Sequence, residues 1–375
     1  MIRFILIILL FLVALLTVFK APAYYLWIIA ILITEYPLIF TGAAALLTVW
    51  GFWVTTYRTA GTLLGVVTIA LCISPIIRAY FVSSDIKNSL NEVFSVPRKT
   101  IFPEQQPFSF TKLFSAANDG TFNKHTYVKY ADTSLSLDFY SSRIPGKRPC
   151  VIMVHGGSWS SGDSRQLPEL NPVLAKQGYN VAAINYRMAP KYQTPAPVED
   201  IKNCLHYLRE HAESLNIDTN KFILIGRSAG AQIALLAAYT LHDAAIIGVV
   251  DFYGPADMVW GYSIPSNPLI MDSRTVMSNY LGGKYEQVPQ KYFASSPIEF
   301  VSKQSPPTLI IHGETDVLVS PIHSQKLDAR LSKFDVPHYW LKLPWATHGF
   351  DFSLNGPGGQ LSTFAIETFL NTITQ

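Results

Sequence analysis

The sequence predicts an α/β fold, a mostly parallel sheet with helices on both faces, preceded by transmembrane helices. Three observations carry this expectation. From residue 123 onward, short runs of β-favouring apolar residues alternate with helix-forming segments, the pattern of strands buried on both faces and joined by crossover helices. A Gly-x-Ser-x-Gly stretch, Gly226 to Gly230, stands where one apolar run stops and a helical run begins. The first 82 residues are almost free of charge, and they raise the whole 375-residue chain to 49% hydrophobic residues and a mean hydropathy of +0.22.

The apolar region comes first in the chain. Ile2 to Phe19 is one apolar run, charged at Arg3 alone and ended by Lys20 and Pro22; a second runs from Tyr24 to Trp53, interrupted by Glu35 and Pro37; a third runs from about Ala60 to Val82, with Arg78 near its end. A crossing needs ~20 apolar residues, so residues 1–82 read as a multi-pass integral membrane region of three spans, with two or four as alternatives. The second run is longer than required, and a break near Pro37 or a tilt is expected. Tyr24, Tyr25, Trp27, Trp50, Trp53 and Tyr57 sit near the run ends, as interfacial aromatics do. A secretory signal is the competing reading of residues 1–23, with Ala21-Pro22-Ala23 as a small-residue cleavage site, but two more apolar runs follow it. With three spans, Lys20, Arg78, Lys87, Arg98 and Lys99 share a side with the remaining chain, and the positive-inside rule puts that side in the cytoplasm.

Residues 83–122 are polar and turn-rich, with Pro97, Pro103 and Pro107 and interspersed Phe102, Phe108, Phe110 and Phe114; they read as a linker. Residues 123–375 have the composition of one large α/β domain. Thr126–Tyr130 and Leu135–Ser141 alternate like a hairpin. Cys150–Val154, Val181–Ile184, Phe222–Ile225, Ala245–Val250, Thr308–Ile311 and Tyr339–Leu343 read as buried strands. Helices are expected near Leu167–Gln177, at Pro197–His211 (Val198, Ile201, Cys204, Leu205 and Leu208 share one face), after Ser228, at Pro321–Lys333 and at Thr363–Thr372. The net charge of +3 and the lack of a Lys/Arg-rich run argue against nucleic acid as a partner. Cys72, Cys150 and Cys204 show neither disulfide nor zinc spacing and read as buried free thiols.

In parallel sheets the functional loops gather at the carboxyl ends of the strands, and four motifs lie there. A strand reversing into a helix brings positions 226 and 230 so close that a Cβ would clash, which leaves Ser228 exposed at a strained tip before the N–H groups of a helix start. His155-Gly156-Gly157-Ser158-Trp159 follows the strand ending at Val154. Its glycines let the N–H groups of Gly156 and Gly157, with that of Ala229, approach a substrate oxygen as an oxyanion hole; His155 reads as a hydrogen-bonder that shapes this loop. Asp316, two residues past Glu314, follows the strand ending at Ile311 and is placed to orient an imidazole. His348, followed by Gly349, follows the strand ending near Leu343. The remaining histidines fit less well: His125 is in the first strand region, His206, His211 and His242 lie on or at the ends of helices, His312 precedes the acid, His323 starts a helix and His338 precedes a strand. Ser228, Asp316, His348 is then a nucleophile–acid–base order.

Together with Tyr186-Arg187-Met188-Ala189-Pro190 and Pro197-Val198-Glu199-Asp200, these stretches resemble the α/β-hydrolases of the hormone-sensitive-lipase/carboxylesterase branch, including BD-FAE-like esterases. Ser158 stands where many members of the lipase branch have a third glycine, a pattern closer to the BD-FAE, kynurenine formamidase and isoprenylcysteine methylesterase groups. The resemblance covers about residues 125–374 and implies an α/β-hydrolase fold and a serine hydrolase of carboxylic esters that works through an acyl-enzyme, with no cofactor and no metal. Residues 253–292 carry many apolar groups, Trp260 and Tyr262 among them. They could cap the site and, with Trp159, line a pocket for a lipophilic ester, or they could pack as an ordinary core connection. An amidase, peptidase or formamidase with the same three residues, a membrane acyltransferase and a non-catalytic membrane adaptor are the alternatives. Oligomeric state has no signature in the sequence.

Overall fold

The computed structural model describes residues 1–94 and 106–375. Pro97, Phe102 and Pro103 of the expected linker, and Arg98 and Lys99 of the orientation argument, lie outside the described residues.

The apolar region folds into four helices: α1 (Ile2–Ala14), α2 (Tyr24–Glu35), α3 (Pro37–Val49) and α4 (Arg58–Phe94). This departs from three full-length spans. By length and composition α4 is, among the described residues, the single helix able to cross a membrane alone. Ile2–Thr17 is shorter than such a crossing requires. The second run is broken into α2 and α3, which meet at 88°. Pro37 is the cause: it has no N–H to continue α2 and opens α3 at a first-turn position. The expected linker is also shorter than 83–122, because α4 runs through residues 83–94. Its Ile86, Leu90 and Phe94 are spaced four apart, one helical face, and all three are buried against the following domain.

The rest alternates strand and helix in sequence: β1 (Asn123–Lys129), β2 (Ser134–Tyr140), β3 (Arg148–Val154), α5 (Leu170–Lys176), β4 (Asn180–Ile184), α6 (Ala196–Glu210), α7 (Ala212–Leu215), β5 (Ile217–Arg227), α8 (Ala229–Thr240), β6 (Ile246–Phe252), α9 (Met258–Ser263), α10 (Ser273–Leu281), α11 (Pro289–Ala294), β7 (Thr308–Gly313), α12 (Ile322–Lys333), β8 (His338–Leu343) and α13 (Pro357–Ile373). The strands form one eight-stranded sheet in the order β1-β2-β4-β3-β5-β6-β7-β8. β1 and β2 pair antiparallel, as do β2 and β4, and β4 to β8 are otherwise joined through parallel pairs.

Successive side chains on a strand point to opposite faces, and the two cores follow that rule. Cys150, Ile152 and Val154 of β3 and Leu224 of β5 pack with α6, α8 and α12. Val151 and Met153 of β3 and Ile223 and Ile225 of β5 pack on the other face with α5, α13 and the last turns of α4. Each such fully buried aliphatic side chain contributes about 1.5–3 kcal/mol relative to exposure. This two-sided burial holds β3, β5, β7 and β8 in register, so that their carboxyl ends present one group of loops. The three cysteines are buried and free.

Candidate active site

Ser228 sits between β5 and α8 with φ 53° and ψ −118°, a left-handed backbone that non-glycine residues rarely adopt. Two glycines permit the turn. A Cβ on Gly226 would lie 2.3 Å from the Gly230 carbonyl oxygen, and one on Gly230 would lie 2.3 Å from the carbonyl oxygens of Val154 and His155. The Ser228 N–H is fixed by the Phe252 carbonyl at the end of β6 (2.8 Å).

The three residues expected to work together are in line. Ser228 Oγ lies 2.9 Å from His348 Nε2, and His348 Nδ1 lies 2.7 Å from Asp316 Oδ2. Since a carboxylate only accepts, Nδ1–H donates to Asp316 and Nε2 is left to accept the Ser228 hydroxyl proton. Asp316 is buried. Its Oδ1 accepts the backbone N–H groups of Leu318 (2.8 Å) and Val319 (2.9 Å). Its Oδ2 accepts His312 Nε2–H as well (3.1 Å). Burial pushes the carboxyl up, but the charge of His348 and the hydrogen bonds from His312 and His348 outweigh it and hold the group well below the usual carboxylate range.

Sequence reasoning set His312 aside. It closes β7 four residues before the acid, with Nδ1 against the Ser324 hydroxyl (2.6 Å) and Nε2 also near the Val319 carbonyl (3.0 Å). It is therefore a buried support for Asp316; its place at the end of the acid's own strand was the available signal.

The glycine loop meets the elbow as expected, with one correction. The N–H of Gly156, named above as an oxyanion donor, is taken by Gln166 Oε1 at 2.6 Å. The N–H groups of Gly157 and Ala229 have no protein partner among the described residues, so these two remain free to meet a substrate oxygen. The reason is local: the loop continues through a turn in which Ser160 and Ser161 donate back to the Gly157 carbonyl (3.0 Å each), and this brings Gln166 under Gly156. His155 shapes the loop, with Nδ1–H on the Gly156 carbonyl (2.7 Å) and its ring stacked on Tyr186 (4.2 Å).

Arg227, the variable residue of the motif, has a defined role. It is buried and ion-paired through Nε to Asp351 Oδ2. Asp351 Oδ1 accepts the Tyr253 hydroxyl, and the Tyr253 ring lies 4.4 Å from that of His348. The residue before the nucleophile and the ring behind the imidazole thus share one carboxylate, supplied by a position 124 residues away.

Ser228 opens into a cavity of about 390 Å³. Trp159 lines it, stacked on Tyr280 (4.6 Å, 4°) and donating its indole N–H to Gln232 Oε1 (2.9 Å). Trp260 and Tyr262, the other expected pocket residues, do not line it. They flank Gly261 on α9, and successive helical residues point about 100° apart; Gly261 faces the cavity while both aromatic rings face a separate surface groove. Residues 253–292 do both things left open above: Tyr280 and Leu281 are core, while Ile264, Ile270 and Met271 line the cavity. Among the described residues, no group of three or more His, Cys, Asp or Glu side chains is arranged to hold a metal ion.

The BD-FAE family model matches residues 137–331, just over half of the chain. The chain belongs to the BD-FAE family. Within that match fall the glycine loop, the elbow and the acid, whereas His348 lies beyond it. Two relatives from Mycobacterium tuberculosis are similar: esterase LipQ, 27% identical over 245 residues (61% of this chain, 56% of the relative), and esterase LipC, 30% identical over 243 residues (60% and 58%). The chain thus spans little more than half the length of these relatives. Among solved structures, a bacterial heroin esterase superposes with a TM-score of 0.60 at 20% identity, covering 68% of this chain and 84% of that one. With the sheet order and the elbow, this establishes the α/β-hydrolase fold.

Proposed function

We propose that the chain is a serine hydrolase of carboxylic esters. The observation that carries this reading is the hydrogen-bonded line Ser228–His348–Asp316 beside two unpaired backbone N–H groups, in a family with esterase relatives. His348 Nε2 takes the Ser228 proton as Oγ attacks the ester carbonyl. Asp316 holds the imidazole in the required tautomer and stabilises its cation. The N–H groups of Gly157 and Ala229 receive the oxyanion. His348 returns the proton to the leaving alcohol, and water, deprotonated by the same nitrogen, releases the acid. Ser228→Ala should lower kcat on an acyl ester about 10⁶-fold and abolish labelling by a fluorophosphonate; retention of either would overturn the reading.

We further propose that the enzyme is attached to a membrane through residues 1–82 and acts on lipophilic esters. The length and composition of α4 support this. So do the exposed apolar side chains of three helices: Ile5 and Leu9 on α1, Ile39 and Leu46 on α3, Leu63 and Val66 on α4. Exposed Trp50, Trp53 and Tyr57 cluster where α3 gives way to α4, the place for an interfacial belt. One or two crossings replace the three expected; with two, Arg3, Lys20, Arg78 and Lys87 share the side of the domain against Arg58, and the charge rule then puts that side in the cytoplasm. Resistance of the protein to alkaline extraction from membranes tests attachment; full release into the supernatant would count against it.

A further inference from the structure

The apolar N-terminal arm reaches the catalytic loops themselves. The turn between α1 and α2 is pinned to residues 267–269: Tyr24 N–H donates to the Leu269 carbonyl (3.1 Å) and Asn267 Nδ2 to the Pro22 carbonyl (3.0 Å). Lys20, Ala21 and Pro22 of that turn line the same cavity as Ser228. Ala21 is buried. Three residues into α2, the Trp27 indole N–H donates to the backbone carbonyl of His348 (3.0 Å). Val317, next to Asp316, packs into the apolar cluster formed by Ala14, Ala21, Ala30, Ile33 and Cys72 of the arm. One segment of eight residues therefore bonds to the loop of the base, contributes to the apolar cluster on which the loop of the acid packs, and lines the substrate cavity. Ile264, Ile270, Met271, Leu318 and Val319 add apolar side chains to the same lining.

We propose that Lys20–Trp27 is a working part of the active site: its turn forms the wall against which a long acyl chain lies, and Trp27 is a positioning residue for His348. This rests on the esterase reading and names its substrate class, esters of long-chain acids. A cavity lined by Ala21 and Pro22 of the arm together with Ile264, Ile270, Met271, Leu318 and Val319 has little to hold an acetyl group and much to hold a chain. A ring N–H on the His348 carbonyl fixes the backbone from which the imidazole hangs. A small displacement of a catalytic base costs rate rather than affinity.

The experiment uses the full chain in detergent micelles with p-nitrophenyl acetate and p-nitrophenyl decanoate. The wild type is expected to prefer decanoate in kcat/KM by about tenfold or more; preference for acetate overturns the proposal. Ala21→Phe, and to a smaller degree Ala21→Leu, should lower the decanoate-to-acetate ratio of kcat/KM about tenfold. An unchanged ratio in a variant that melts like the wild type overturns the wall. Trp27→Phe keeps an aromatic ring at the position and removes the donor; kcat should fall about tenfold on both esters with KM within about twofold. A change in KM alone, or none, overturns the positioning role. A wild type without turnover and without fluorophosphonate labelling of Ser228 overturns the esterase reading itself, and this inference with it.

Discussion

Replacing Arg227 by methionine tests what the buried pair behind the elbow is worth. Arg227 and Asp351 are 6% and 5% exposed at their side chains, so neither charge is repaid by water when its partner is removed. In Arg227→Met, Asp351 keeps the Tyr253 hydroxyl on Oδ1 but loses its cation on Oδ2. Removing one partner of a buried ion pair costs about 3–5 kcal/mol, because the other charge is left uncompensated. At about 2–4 °C per kcal/mol for a large domain, that corresponds to a fall in melting temperature of roughly 6–20 °C. Asp351→Asn in the same background removes the orphaned charge and should restore most of the loss, since replacing a whole buried pair by neutral groups is often near neutral. The assay is thermal unfolding of wild type, both single variants and the double variant, with ester turnover followed in parallel. A single variant that costs less than about 1 kcal/mol, or a double variant no better than the sum of its parts, would refute the reasoning.

Other outcomes follow from the same geometry. Asp316→Asn preserves shape but removes the carboxylate that fixes the His348 tautomer, and kcat should fall about 10⁴-fold with the fold intact; steady-state kinetics beside a circular dichroism spectrum check it. Gly226→Ala places a methyl 2.3 Å from one backbone oxygen and 2.5 Å from a backbone nitrogen, so the elbow must open; a cost above about 4 kcal/mol is expected, read as loss of folded protein on expression. His323 is buried, and burial pulls its imidazole from 6.5 down to about 3. Its folded pKa lies below the unfolded value, so the unfolded chain binds a proton the native imidazole refuses. The stabilisation is full above about pH 6.5 and is lost as the pH falls towards 3, about 2 kcal/mol of it by pH 5. Asp251 and Glu367, both pushed up to about 7 chiefly by burial, titrate in the opposite sense. The measurable quantity is therefore the stability difference between wild type and His323→Gln, which should shrink by that amount between pH 7.5 and pH 5; a constant difference would remove the assignment.

The fold was legible because its signals are local. The switch from β-favouring residues to helix formers around Ser228, and the glycines on either side, locate the elbow without reference to anything else. Asp316 and His348 were legible because each follows a recognisable buried strand. What escaped has one physical origin, contact between distant positions. Nothing near Arg227 indicates that Asp351 neutralises it, and nothing near Gly156 shows that Gln166 takes its N–H. Trp260 and Tyr262 were misplaced because composition counts apolar residues in a segment but does not say which way a six-residue helix turns them. The length of α4 is a different case: Ile86, Leu90 and Phe94 keep helical spacing through a stretch whose average polarity reads as a linker. In the apolar region, the excess length of the second run pointed to the break near Pro37, but hydropathy could not show that the chain turns there through nearly a right angle.

The single helix α4 has a mechanical consequence. Its 37 residues extend for about 55 Å at 1.5 Å per residue, and its last turns are packed between α13 and β8. A hydrocarbon layer of ~30 Å uses little more than half of that length. Anchored in this way, the domain would be held close to the lipid, with Pro75 inside α4 a place for a kink between its two ends. Its search for substrate would be a lateral diffusion of the entire body.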